Sequence, residues 1–505
     1  MSGSTERREE RAGAPVLLVG GVILLALVLR FWHLGDWNFQ ATEIFTLRDS
    51  LRPRFTNPRP LGYLLNYYLV LPLRPLDEFG LRLLPALFGA LAAPALYLVG
   101  RRLVGWRPAL LGALLLAVSP LLILYSQLAR YWALVFLLSA IYPYALYLGI
   151  RDRSRSALAV GIVTAVLAAL AHPVSVLLFG GLGLWLLTRF RRPADLKQLW
   201  DQRSVRWGLV VALILLVVMI VRFIPILQGW IAQHDRTGAG QFLLRPRVGD
   251  GLRQLVYLAA FVDGLTLPLA LAGVLGLYIL WSERDRPLAL LLICLAGFPI
   301  VFLTLISLRT AVSTYYLLPA IPVFFLGAGV FIDRLIDADR TLRPRWLLPA
   351  AVTLLIVAAG VPTLVSDYRD GRRYDFRRAA MWLETRLAAA DVVFSDQPIV
   401  LAHYLPERRI QKLRSSSEAL ADSLRGLERA GAGGSVWVVA PAASHAFRSN
   451  LKAGGLSTWI YANCQLRNSL GVGRVDYRQE YLQIYRCPPG TSAAAEREPG
   501  TAAGN

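Results

Sequence analysis

A polytopic α-helical membrane domain followed by a water-soluble α/β domain is predicted by three features of the sequence. Hydrophobic residues make up 55% of the 505 and charged residues only 17%, whereas a soluble domain carries about a quarter charged residues. The apolar residues gather before residue 366, in long runs separated by short polar links. Beyond that point, helical and strand-like patterns alternate over about 120 residues, as they do in an α/β layer.

A bilayer core takes about 20 apolar residues per spanning helix. Pro15–Phe31, Leu83–Gly100, Ala109–Leu124, Trp132–Ile150, Gly208–Ile224 and Leu347–Val365 qualify, with further spans expected near 156–171, 174–188, 264–281, 288–307 and 314–331. One such run could be a buried core helix; a series of about eleven reads as membrane spans. Met1–Gly13 is a short charged tail, and no small-residue cleavage site follows it, so Pro15–Phe31 reads as an uncleaved first span. Leu61–Leu73 is too short to span and ends at Arg74, which suggests an interfacial or re-entrant piece.

With that piece not spanning, the arginines at 101, 102, 107, 151, 153 and 155 fall in cytoplasmic loops, as the positive-inside rule requires. The same alternation gives a cytoplasmic tail over 1–13 and a transmembrane domain over 14–366 with a first external loop at 32–60. It puts the α/β domain of 367–487 outside the cytoplasm, at the inner (plasma) membrane. Lys and Arg outnumber Asp and Glu by 54 to 33, a net +21. Loop lysines and arginines facing anionic headgroups account for this excess. No separable basic domain exists, which excludes a nucleic-acid partner.

In the soluble domain, helices are expected at Phe376–Ala389, Ser416–Ala430 and Ser444–Ala453, and strands at Val392–Ser395, Val436–Val439 and Tyr481–Arg486. Cys464 and Cys487 both fall here, and a disulfide between them would fit an oxidising compartment. Cys294 lies within a span and reads as packing. The small, polar tail 488–505 has the composition of a disordered segment.

Polar residues near the membrane carry the functional information, because they are expensive there. The first external loop holds Asp36, Glu43 and Asp49 beside Arg48, Arg52, Arg54 and Arg59. Such a loop can simply be solvated at the headgroups. It also supplies the parts for base catalysis next to an anionic leaving group. A second cluster is Tyr125, Ser126, Gln127, Arg130 and Tyr131; if the helix continues, Ser126 and Arg130 share one face. Arg130 could snorkel to headgroups, or bind a lipid phosphate through its planar fork.

His172, before Pro173, is a lone histidine, a residue more often structural than functional. Asp263 and Arg309 lie near other external helix ends, where an ion pair is the simpler role. No Walker loop, dinucleotide fingerprint, zinc motif or serine elbow is present, which disfavours a nucleotide-driven pump. No metal-ligand cluster is evident, and metal dependence stays open, because carboxylates of the first loop could hold a divalent cation.

These residues resemble the GT-C membrane glycosyltransferases, in particular bacterial relatives of protein O-mannosyltransferases and of the lipid A aminoarabinose transferase. The resemblance covers residues 15–330. It rests on the loop around Glu43, on Asn57-Pro58-Arg59-Pro60-Leu61, and on Glu78 with Arg82-Leu83-Leu84-Pro85-Ala86-Leu87-Phe88-Gly89. It continues in the Tyr-Ser-Gln-x-x-Arg-Tyr of 125–131 and in Tyr316-Leu317-Leu318-Pro319.

The resemblance implies transfer of a sugar from a polyprenyl-phosphate carrier to an acceptor outside the cytoplasm, with inversion and a loop carboxylate as general base. Glu43 would then be the leading base, with Asp36 or Asp49 as substitutes. Arg130, Arg309 and Arg59 would hold the donor phosphate, and Tyr125, Gln127, Tyr131, His172, Asp263 and Tyr316 would line the substrate cavity. Two positions depart from the pattern: Thr42 replaces the Asp of the usual Asp-Glu pair, and Tyr315 stands where relatives often carry arginine. The missing Asp keeps alive two other readings, a non-catalytic binder or transporter of polyprenyl-phosphate lipids and a cell-envelope assembly scaffold. The sugar and the nature of the acceptor (lipid, glycan or protein) have no code in these residues.

Overall fold

A computed structural model describes residues 16–189, 255–307, 312–338, 346–371, 374–413, 434–441, 460–461, 463–475 and 478–487. The expected span Gly208–Ile224, the expected helices Ser416–Ala430 and Ser444–Ala453, Arg309, and both terminal tails lie outside these residues. The chain divides into two compact units: Met1–Leu34 with Asp49–Pro362, and Gly35–Arg48 with Thr363–Asn505.

The first unit is helical and the protein is a polytopic membrane protein. It contains α1 (Val16–Phe31), the end of α2 (Ala41–Leu51), α3 (Pro60–Leu65) and α4 (Glu78–Leu103). Among the described residues, five helices are long and apolar enough to cross a membrane: Glu78–Leu103, Trp132–Arg151, Arg286–Ser307, Thr314–Asp337 and Leu347–Arg369. The number rises to seven if each of two bent pairs is one span, and three shorter apolar helices accompany them.

Both bent pairs depart from the straight spans expected of the sequence. In place of Ala109–Leu124, α5 (Trp106–Ala117) and α6 (Pro120–Ser126) meet at 60°. Pro120 has no N–H to donate, and Ser119 before it is extended, as prolines impose on their predecessors. In place of 264–281, α11 (Val256–Leu265) turns by 89° into α12 (Leu267–Ile279) at Thr266, whose φ is +71°. Helices α7 (Trp132–Ser139), α8 (Tyr142–Arg151), α9 (Arg155–Ala171) and α10 (Leu177–Arg189) lie between these pairs in the sequence. The short segment at Leu61–Leu73 forms α3 and a single π-helical turn, Asn66–Val70, anchored where Asn66 Nδ2 donates to Ser50 Oγ at 3.0 Å.

The second unit is built on a five-stranded sheet of β1 (Val392–Ser395), β2 (Ile410–Lys412), β3 (Val436–Pro441), β4 (Gln465–Val475) and β5 (Arg478–Cys487). Its order is β2-β1-β3-β5-β4; β1 runs parallel to both neighbours, and β5 antiparallel to β3 and β4. Every residue of β1 and β3 is buried, the continuous apolar pattern of strands covered on both faces. The helix expected over Phe376–Ala389 stops at Glu384, because the Ala388 N–H is diverted to Asp391 Oδ2 at 3.0 Å. Asp391 also accepts from the Ser435 amide and the Trp437 indole, so this buried carboxylate ties β1 to β3. Cys464 and Cys487 form a disulfide across the β4–β5 pair.

Gly35–Arg48 is part of this same unit. The Phe39 amide donates to the Tyr404 hydroxyl at 2.7 Å, and the Phe39 ring meets His403 edge-on at 5.4 Å. Arg377 donates to the Asp36 carbonyl. Gly371, at φ +71°, lies so close to the Trp37 ring that a Cβ there would sit 2.4 Å from it.

Asp396 sits between β1 and the short helix Pro398–Tyr404. Burial pushes its carboxyl up to about 7, only partly offset by backbone amides at 396 and 397. A raised carboxylate pKa means the folded state holds its proton longer than the unfolded chain does. Stability of this unit therefore falls as pH climbs from about 4 to about 7, then levels off. Asp396→Asn is expected to raise the unfolding temperature of the purified protein at pH 8 and leave it unchanged at pH 4, as thermal unfolding at the two pH values would read.

Candidate functional site

The site is built on the break between α5 and α6. Ending α5 at Ala117 leaves its last carbonyls without helical partners. Arg30, at the end of α1 and fully buried, serves two of them: its guanidinium donates to Ala117 O at 2.8 Å and Leu116 O at 3.3 Å, and also to Ala26 O of its own helix at 3.2 Å. A buried arginine is tolerable there because it repairs a broken helix. Gly89 makes room, since a Cβ at that position would stand 1.9 Å from Ser126 Oγ and 3.0 Å from Arg30 Nε.

The helix does not continue past Ser126, so the expected pairing of Ser126 and Arg130 on one helical face is not formed. Ser126 is buried and its hydroxyl turns back to Leu122 O at 2.5 Å, while residues 127–131 form an irregular link. Gln127 fastens that link: its Nε2 donates to Trp32 O at 2.8 Å and Arg30 O at 3.2 Å. Freed from the helix, Arg130 and Tyr131 turn to a different set of neighbours.

The hydroxyl of buried Tyr131 accepts from two guanidiniums, Arg59 and Arg130, the latter at 3.0 Å. Both also lie over its ring, with Cζ 5.0 and 4.8 Å from the centroid. Asn57 links Arg59 to a carboxylate, accepting the Arg59 amide at 3.0 Å and donating to Asp49 Oδ2 at 3.2 Å. Tyr63 reports on the same neighbourhood. Burial pushes its phenol up to about 12, Arg130 and Arg59 pull against this, and Asp49 adds to it. One phenol thus feels two cations and one anion together.

Aromatic rings close the cluster. His172 stacks on Tyr131 with centroids 4.8 Å apart and lies 4.8 Å from Trp132, which packs on Tyr315 at 4.5 Å. Tyr316 meets Tyr315 at 4.8 Å and His172 at 6.2 Å. Two cations beside a wall of rings can bind an anion and cover an attached flat or apolar group.

Of the residues singled out in the sequence, Asp49, Arg59, Arg130, Tyr131, His172 and Tyr316 come together within the first unit. Glu43 and Asp36 are in the second unit. Glu43 is fully buried near the start of α2, and its Oε2 accepts the Gln40 amide at 2.9 Å, the backward half of a helix capping box. Asp36 is exposed. Asp263 is exposed one turn before the α11–α12 bend, and Tyr125 is half-buried against the helical core. Arg309 is not among the described residues. The sequence reading gave no role to Trp132, Tyr63 or Asn57; their signal was adjacency, each lying within four residues of Arg59 or Arg130. Among the described residues, no three His, Cys, Asp or Glu side chains gather as a metal site.

Residues 59–223 match the family model described as Dolichyl-phosphate-mannose-protein mannosyltransferase. No curated protein matches the chain. Among solved structures, apo ArnT from Cupriavidus metallidurans is similar at 17% identity, covering 93% of this chain and 97% of that one, with a TM-score of 0.52. The same protein bound to undecaprenyl phosphate gives 16% identity, the same coverage and a TM-score of 0.51. The oligosaccharyltransferase of Archaeoglobus fulgidus, in complex with Zn and sulfate, gives 11% identity over 92% of this chain and 72% of that one, with a TM-score of 0.53. The chain therefore has the GT-C fold, that of a class of membrane glycosyltransferases.

Proposed function

We propose that this protein is a GT-C glycosyltransferase that takes a sugar from a polyprenyl-phosphate carrier and passes it to an acceptor hydroxyl on the extracytoplasmic side of the inner membrane. The observation that carries this reading is the convergence of Arg59 and Arg130 on the Tyr131 hydroxyl, with Asp49 joined to Arg59 through Asn57. The match of residues 59–223 to a dolichyl-phosphate-mannose mannosyltransferase model supports it, since that stretch contains both arginines.

In this mechanism the two guanidiniums bind the donor phosphate. The acceptor oxygen attacks the anomeric carbon from the face opposite the phosphate, and its proton passes to Asp49. The bond from the anomeric carbon to the phosphate oxygen breaks, and its electron pair stays on the phosphate. The guanidiniums stabilise the charge that grows there, an effect strongest where water is excluded. Asp49 is the preferred base because it shares a unit with the arginines and is half-exposed, whereas the Glu43 carboxylate is buried and occupied in its own helix end.

A second reading, a lipid binder or transporter without chemistry, is favoured by Thr42, which cannot act as a base. Native mass spectrometry of the detergent-purified protein tests the feature common to both. A retained polyprenyl phosphate or its sugar-bearing form is expected in the wild type, and its mass names the sugar. Recovery of ordinary phospholipids alone would overturn the donor assignment.

A further inference from the structure

His172 joins α9 to a short 3-10 turn, Pro173–Val176, at the rim of the aromatic cluster. Its Nδ1 accepts the Val174 amide at 3.0 Å, closing the start of that turn. An accepting Nδ1 has no proton, so the neutral ring carries its hydrogen on Nε2. Burial, with Arg59 and Arg130 nearby, holds the imidazole well below its usual range and keeps it neutral. The ring is only 5% exposed, yet Nε2 has no hydrogen-bond partner among the described residues. A buried donor without an acceptor is costly, and a native fold retains one only for a reason. A second buried donor in the same cluster, Arg59 Nε, is also without a partner among the described residues.

The sequence alone favoured a purely structural histidine, and the Nδ1 bond satisfies that expectation in full. It leaves Nε2–H unexplained. The unfilled His172 Nε2–H and Arg59 Nε–H, with the Arg130 guanidinium on the same Tyr131 and ring faces beside them, call for an acceptor that is anionic and has several oxygens. We infer that His172 Nε2–H is a third donor to the phosphate of the polyprenyl carrier, fixing one oxygen while Arg59 and Arg130 neutralise the charge. The inference rests on the proposed donor site and deepens it. A neutral donor adds direction without adding charge, so it selects the orientation of the phosphate and hence the face of the sugar offered to the acceptor.

Two isosteric changes separate the two nitrogens. Asparagine mimics Nδ1 and keeps the cap on Val174, but lacks anything at the Nε2 position. Glutamine places an N–H near Nε2 and gives up the cap. Both lose the ring, so the contrast between them isolates the Nε2 donor.

The test is equilibrium binding of undecaprenyl phosphate to the full-length protein in detergent, for wild type, H172N, H172Q and R130A. Losing a hydrogen bond to a charged group weakens binding about 10- to 100-fold, which is the effect expected of H172N. H172Q is expected to stay within about threefold of the wild type. Wild-type affinity in H172N, or equal losses in H172N and H172Q, would overturn the Nε2 contact while R130A still showed that the donor site exists. Failure of the wild type itself to bind would instead remove the donor site, and this inference with it.

Discussion

Asp49→Asn is expected to abolish most sugar transfer while leaving the protein loaded with its lipid donor. A positioned general base contributes about 10²- to 10⁴-fold to a rate, and the amide removes it at almost unchanged shape. Turnover should fall by that factor, with the affinity for undecaprenyl phosphate within about threefold of wild type, because the cationic half of the site is untouched. Glu43→Gln is the essential companion. Its carboxylate accepts the Gln40 amide within its own helix, a bond the glutamine carbonyl can also accept, so the change should leave turnover close to the wild type. Single-turnover transfer from a radiolabelled lipid donor, measured beside thermal unfolding, separates the two. If Glu43→Gln stopped transfer and Asp49→Asn did not, the base would be Glu43. If neither mattered, the lipid-binder reading would stand.

The second large effect is expected at the guanidiniums. Arg130→Ala and Arg59→Ala should each weaken binding of undecaprenyl phosphate about 10- to 100-fold, the worth of a charge-assisted hydrogen bond. The double variant should lose less than the product of the two, because both arginines share the Tyr131 hydroxyl and one can shift when the other is removed. Arg130→Lys should recover only part of the loss, since an ammonium keeps the charge and loses the planar fork. Binding titrations on the full-length protein in detergent would check all four. Unchanged affinity in both alanine variants would mean that the arginines serve headgroups or packing, and would end the donor-site assignment.

The two-part architecture was legible because its signals are additive. Long apolar runs and alternating basic loops each extend over many residues, and no single error moves the conclusion. Strands β1 and β3 were readable in the same way, from the uninterrupted Val392–Ser395 and Val436–Val439 runs, whereas β2 and β4 carry no such run and were not expected. Pro120 and Thr266 were harder. A proline within an apolar run is compatible with a kink, a break or an undisturbed first turn, and hydropathy cannot choose among them. Once α5 broke, Arg130 left the helical face where its spacing from Ser126 had put it. The meeting of Arg59 with Tyr131, 72 residues apart, depends on that break and had no local trace. Likewise, Glu43 was singled out by its motif, while the occupation of its carboxylate by Gln40 is a matter of where α2 starts, which a sequence fixes only to within a few residues. His172 shows the opposite case: its structural role was expected, and its second nitrogen became interesting only when the first was accounted for.

The chain's two visits to the second unit have a consequence for how the protein is made. Phe39 emerges from the ribosome 365 residues before Tyr404, the side chain that holds its amide. Until residues 371–404 are made, the Trp37 ring lacks the Gly371 backbone and the Phe39 amide lacks the Tyr404 hydroxyl that they meet in the folded unit, where Phe39 and Ile44 are 1% exposed. Membrane spans can be inserted one after another as they appear, but these contacts must wait until Tyr404 has been made. A late part of the chain thus completes an early one, and a premature stop before Tyr404 would leave the Phe39 contact unmade as well as a late stretch missing. A protein truncated after its final span is therefore not a smaller version of this one, and the order of its translation is part of its folding pathway.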